Sequence, residues 1–77
     1  MSVSSSAPTD YLGSVRIDEV SANVIYIGEA TSSADESSPI WRIKRLQLTG
    51  TVTAIQYADG DTNFDNVWTN RASLTYS

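Results

Sequence analysis

Neither cysteine nor histidine occurs in the 77 residues, and in a chain this short their absence removes the usual means of stabilising a small fold. A domain of this size buries about 60% of the surface its unfolded chain exposes, so a core built alone is marginal. Disulfides, iron–sulfur clusters and ordinary structural zinc sites all need the missing side chains. Of the common aids to small folds, oligomerisation is the one left open. The same two absences exclude a Ser-His-Asp triad, a cysteine nucleophile, an imidazole base and a zinc hydrolase. Small domains also seldom enclose the pocket of about 300–1,000 Å³ that small ligands occupy. The chain is therefore expected to be no enzyme and to carry no cofactor.

Charge narrows the partners. Nine acids against five bases leave a net charge of -4 and a pI near 4.3, and nucleic acid would need a basic face. No apolar run approaches the roughly 20 residues of a membrane helix. Residues 1–7 lack the basic and apolar regions of a signal peptide. A soluble, unprocessed protein with no nucleic-acid or membrane partner is expected.

Composition favours strands. Val, Ile, Thr, Tyr, Trp and Phe supply 27 residues, whereas Leu supplies 4, Lys 1 and Met 1, so straight-chain helix formers are scarce. Residues 1–10 are Ser-rich with Pro8 and read as an extended N-terminal arm; residues 11–77 read as a single β domain. Within it, residues 11–20 alternate with one polar face, and residues 22–30 carry Val24, Ile25, Tyr26 and Ile27 in succession, the pattern of a central strand. Residues 31–39 (TSSADESSP) form a polar loop expected to project into solvent or toward a partner. In residues 40–48, Trp41 and Ile43 share one face and Leu46 and Leu48 the other, which predicts a β-bulge near Lys44. Gly50 then marks a hairpin into residues 51–57, and residues 67–76 alternate as a last, amphipathic strand with Arg71 opposite Trp68. Five strands without a crossover helix predict a small antiparallel β-sandwich or partly open barrel. Open sheets leave edges, which favours assembly.

The net charge hides segregation. Residues 1–39 sum to -5, residues 40–58 to +3 through Arg42, Lys44 and Arg45, and residues 59–77 to -2. The basic segment reads either as a docking strip for an acidic surface or as an edge strand protected by its charges. Asp59, Asp61, Asn63 and Asp65 place oxygen ligands at alternate positions, as at the start of an EF-hand loop. Phe64 stands where that loop needs glycine and Asn70 where it needs a bidentate glutamate, so an ordinary exposed turn is the plainer reading. Trp41 and Trp68 read as core, with an interface anchor as the alternative for either. Arg71 reads as surface or interfacial.

Four groups of residues carry a resemblance. They are Val24-Ile25-Tyr26-Ile27-Gly28-Glu29-Ala30, Gly50-Thr51, Ala58-Asp59-Gly60, and Val67-Trp68 with Arg71-Ala72-Ser73-Leu74 and Tyr76. Through these, within residues 24–30 and 40–77, the chain resembles small tailed-bacteriophage virion-associated proteins. The arm and the TSSADESSP loop lie outside the match. The resemblance implies a virion-located structural protein, with no active-site residues to carry over. Together these features predict a structural subunit of a phage particle, in the tail, at a tail-fibre attachment or as a capsid decoration. Its expected partners are other virion proteins and copies of itself, through Trp41, Arg42, Lys44, Arg45 and Arg71. The alternative is a β-rich binding module that recognises a host-surface glycan or a metal ion through Trp41, Trp68 or the 59–65 loop.

Overall fold

In the computed structural model, residues 13–77 are described, and the expected N-terminal arm, residues 1–10, lies outside them. The organising element is the long strand β3 (Pro39–Thr49), which hydrogen-bonds on both sides. On one side lies β2 (Val24–Ala30), itself paired with β1 (Ser14–Ser21); on the other lie β4 (Val52–Tyr57) and, further toward the start of β3, the short β5 (Asn66–Val67). All pairings are antiparallel, and β1 to β4 follow one another as a meander. Among the described residues the fold is all-β, with five strands. The second layer of the expected sandwich or partly open barrel is supplied by the C-terminal segment in place of a second sheet.

Turn chemistry explains the meander. Gly50 sits at φ +60° in the two-residue connection between Thr49 and Val52, the position where a II′-type hairpin demands positive φ. Asp59 at φ +61° and Gly60 at φ +72° reverse the chain after β4; aspartate and glycine tolerate that left-handed region best. A register shift between Glu19 and Ser21 accommodates the tight β1–β2 connection, where the Asn23 amide donates to Ser21 Oγ at 3.2 Å.

No bulge forms near Lys44. The β2–β3 register runs unbroken from Val24↔Gln47 to Glu29↔Arg42, and the β3–β4 register from Lys44↔Tyr57 to Thr49↔Val52. Strand β3 therefore keeps its phase, and Trp41, Ile43, Arg45 and Gln47 point to one face while Arg42, Lys44, Leu46 and Leu48 point to the other. The apparent phase break in the sequence is a strand with apolar side chains on both faces.

One face is covered. After β5 the chain turns into a 3₁₀ helix, Trp68–Ser73, and finishes with Tyr76 bridged to Ala58. This corrects the expected last strand over residues 67–76. At three residues per turn Trp68 and Arg71 fall on the same side, not on opposite faces, and the Arg71 guanidinium lies 4.6 Å from the Trp68 ring. Trp68 meets Trp41 at 5.9 Å between ring centroids, and Tyr76 meets Tyr26 at 5.5 Å. With Ala30, Ile43 and Ala58 these rings form the buried core. The C-terminal residues also bond the end of β4: Tyr57 and Ser77 exchange amide–carbonyl hydrogen bonds at 3.2 Å.

The polar loop of residues 31–38 does not project away. The Trp41 indole N–H donates to the Asp35 carbonyl at 2.9 Å, and Thr69 donates its amide and its hydroxyl to the Glu36 carbonyl at 3.1 Å. The Ala34 amide donates to Ser14 Oγ at 3.2 Å, and Arg16 Nε to Glu36 Oε2 at 2.7 Å. The buried Trp41 indole needs an acceptor, and a backbone carbonyl of the loop is the group in reach.

Candidate functional site

The covered face accounts for four of the residues that sequence reasoning singled out, Trp41, Trp68, Arg45 and Arg71. Trp41 is 0% exposed and Trp68 4%, so neither indole is available as a contact surface. Arg45, one residue beyond Lys44, is turned by strand alternation onto the covered face, where it lies 5.0 Å from the Tyr76 ring and donates to Gln56 Oε1 at 2.6 Å. Arg71 donates to Asp18 Oδ2 at 2.9 Å beneath the same segment. The basic strip of residues 42–45 is thus split between two faces, and only Arg42 and Lys44 share the outer one. Every arginine in the chain stacks on an aromatic ring: Arg16 on Trp41, Arg42 on Phe64, Arg45 on Tyr76 and Arg71 on Trp68. Guanidinium planes stack well and are weakly hydrated, so Arg16, Arg45 and Arg71 serve here as partial covers of the core.

The 59–65 loop gathers no cation site. Among the described residues, no three carboxylate, histidine or cysteine groups converge. Asp61 Oδ1 instead accepts the Asn63 amide at 3.0 Å, closing a local turn, and Phe64 leans over Arg42 at 4.8 Å.

Among the described residues, the Tyr76 phenol is the one group with a large shift in proton affinity. Its hydroxyl donates to the Arg71 carbonyl at 2.8 Å, and its pKa is raised to about 12. Burial is the main cause, helped by Tyr26 and Asp59 and opposed by Arg45 and Arg71. The unfolded phenol ionises near pH 10, so the Tyr76 contribution to stability is whole below pH 10. It is lost as pH rises through 12. The midpoint of urea unfolding should fall between pH 10 and 12, and Tyr76→Phe should flatten that fall while costing about 1 kcal/mol at neutral pH. An unchanged alkaline profile in Tyr76→Phe would place the sensitive group elsewhere.

The opposite face of the sheet is where an unexplained surface lies. Cα pairing sets Ile17, Ile27, Lys44 and Tyr57 in one row across the four strands, and Glu19, Ile25, Leu46 and Ile55 in the next. Val15 pairs with Glu29, which pairs with Arg42; Leu48 pairs with Thr53. Ile25, Ile27, Lys44 and Leu46, in the middle of this face, are half-buried. Ile17 is 65% exposed, Ile55 58% and Val15 48%, values at which a large aliphatic side chain is in water. Contiguous apolar patches of this kind on a small protein mark contact surfaces. Glu29 and Arg42 neutralise each other at 2.8 Å, and Phe64 borders that corner. Lys44 stands near the centre between Ile27 and Tyr57 with no ion-pair partner among the described residues, alone among the five bases in having no side-chain partner.

Sequence reasoning missed the aliphatic members of this face. The signal was present in two places: Ile25 and Ile27 in a strand apolar on both sides, and Leu46 and Leu48 out of phase with Trp41 and Ile43. Treating the second as a bulge folded both sets into one face.

No family model, characterised protein or solved structure matches the chain. No helix among the described residues is long and apolar enough to cross a membrane.

Proposed function

We propose that the chain is a structural subunit that assembles through protein–protein contacts, as part of a tailed-bacteriophage particle. The observation that carries this reading is the uncovered apolar face built from Ile17, Ile25, Ile27, Leu46 and Ile55. A single-layer sheet that covers one side with its own C-terminus and leaves the other aliphatic is half of a two-layer structure. The C-terminal resemblance and the absence of cysteine and histidine chemistry support the particle setting. In this role the work is mechanical: partner burial on the open face stabilises the subunit and the assembly together. The partners are other virion proteins and copies of the chain, and the location is the virion.

Leu46→Asp tests the reading, because it places a charge at the centre of the open face without touching the aromatic core. Its far-UV circular dichroism should match the parent, while incorporation into particles, followed by co-sedimentation, should fall by about thirtyfold or more. Wild-type chain that stays a stable monomer and never co-sediments with particles would overturn the proposal.

A further inference from the structure

The occupant of the open face can be read from its charges. The chain carries a net charge of -4, so two copies repel over most of their surface. The open face is the exception: it holds two carboxylates, Glu19 and Glu29, against two cations, Arg42 and Lys44. Glu29 and Arg42 already satisfy each other. Glu19 and Lys44 remain, unlike charges with no ion-pair partner among the described residues, on β1 and β3 of the same apolar surface. Covering Lys44 with a purely apolar partner strands its ammonium away from water, so the cover must bring a carboxylate. A second copy brings Glu19, and two-fold symmetry repeats the pair.

Size agrees. Four strands spaced about 4.8 Å and about seven residues rising about 3.4 Å each span about 450 Å² in projection. Side-chain relief brings this near the 600–800 Å² per partner, roughly, of a small specific interface. The chain's own first twelve residues are a poor cover. Between Val3 and Tyr11 they run Ser-Ser-Ser-Ala-Pro-Thr-Asp, with no large apolar side chain.

Resting on the assembly reading above, we infer that the partner on the open face is a second copy of this chain. The two sheets pack face to face about 10 Å apart, with Lys44 of each copy paired to the other copy's Glu19.

Sedimentation equilibrium of the full chain should show a dimer. Lys44→Glu and Glu19→Lys should each weaken it about tenfold or more, and the double variant K44E/E19K should return to within about threefold of the parent. Neither side chain has a fold-stabilising partner, so circular dichroism of all three should match the parent. A dimer insensitive to both single reversals, or one the double variant fails to restore, overturns the pairing. A wild-type monomer that still co-sediments with particles overturns the second copy as occupant and leaves the assembly reading standing; a monomer that does not co-sediment removes both. If the wild type is monomeric and a Tyr11→Asp, Leu12→Asp variant dimerises, the occupant is the chain's own N-terminal segment and the inference fails.

Discussion

Trp41→Ala is expected to leave the domain largely unfolded at room temperature. The indole is fully buried, packs on Trp68, lies under the Arg16 guanidinium and donates to the Asp35 carbonyl. Truncating a buried tryptophan to alanine costs about 3–5 kcal/mol through lost transfer energy and the cavity left behind. The orphaned carbonyl adds about 1 kcal/mol. A domain this small has roughly 5 kcal/mol to lose. The loss is large because the sheet has one buried face only, and Trp41 is the largest side chain fully buried there. The effect should also reach residues 31–38, whose backbone is held by the same indole. Urea unfolding followed by far-UV circular dichroism checks this; a loss below about 1 kcal/mol would show that the core does not depend on Trp41.

Gly28→Ala is the second large effect, from the addition of a single methyl group. Gly28 faces the covered side opposite Arg16 and Ile43, and its backbone is ordinary extended strand, so conformational freedom is not why glycine stands there. Space is the reason. A Cβ at this position would meet Trp68 Cε3 at 2.5 Å and Cζ3 at 2.7 Å, with Trp41 Cε3 at 3.2 Å. A rigid, buried indole cannot yield by rotating a flexible tip, so the two rings must separate. Overpacking of this kind costs about 1–3 kcal/mol, which outweighs the strand preference alanine has over glycine. The near-ultraviolet circular dichroism of the tryptophans should change with it. Combining Gly28→Ala with Trp68→Leu should cost less than the two single losses added together, because the clash is then relieved. Full additivity would show that the contact is not the cause.

Strand content and the central position of residues 22–30 were legible because β-branched and aromatic residues alternate or run together there. Gly50 and the Asp59-Gly60 pair announced their turns through the positive φ that those turns need. The C-terminus was misread for a physical reason. Trp68, Ala72, Leu74 and Tyr76 satisfy a period of two, yet a short segment that pairs only at its two ends, Val67 with Pro39 and Tyr76 with Ala58, buries more by coiling Trp68 onto Trp41 than by extending. Propensity is local; the indole pocket beside Gly28 is not. The loop of residues 31–38 looked free because its side chains are polar, but its anchoring uses backbone carbonyls, which no side-chain pattern reveals.

The candidate site divides along the same line. The absence of cysteine and histidine, the segregated charge and the two-sided apolar strands are properties of the sequence alone, and the proposed assembly role starts from them. Which apolar set becomes core was decided only by tertiary structure, through where the last ten residues lie. Either face of β3 offers aliphatic or aromatic surface, and a strand pattern cannot say which is covered. Trp68 and Tyr76 settle on the face that holds Trp41, Tyr26 and the vacant side of Gly28, because only there can ring stack against ring. That choice turns Arg45 inward, leaves Lys44 outward, and exposes Ile17 and Ile55 on the face proposed for a partner.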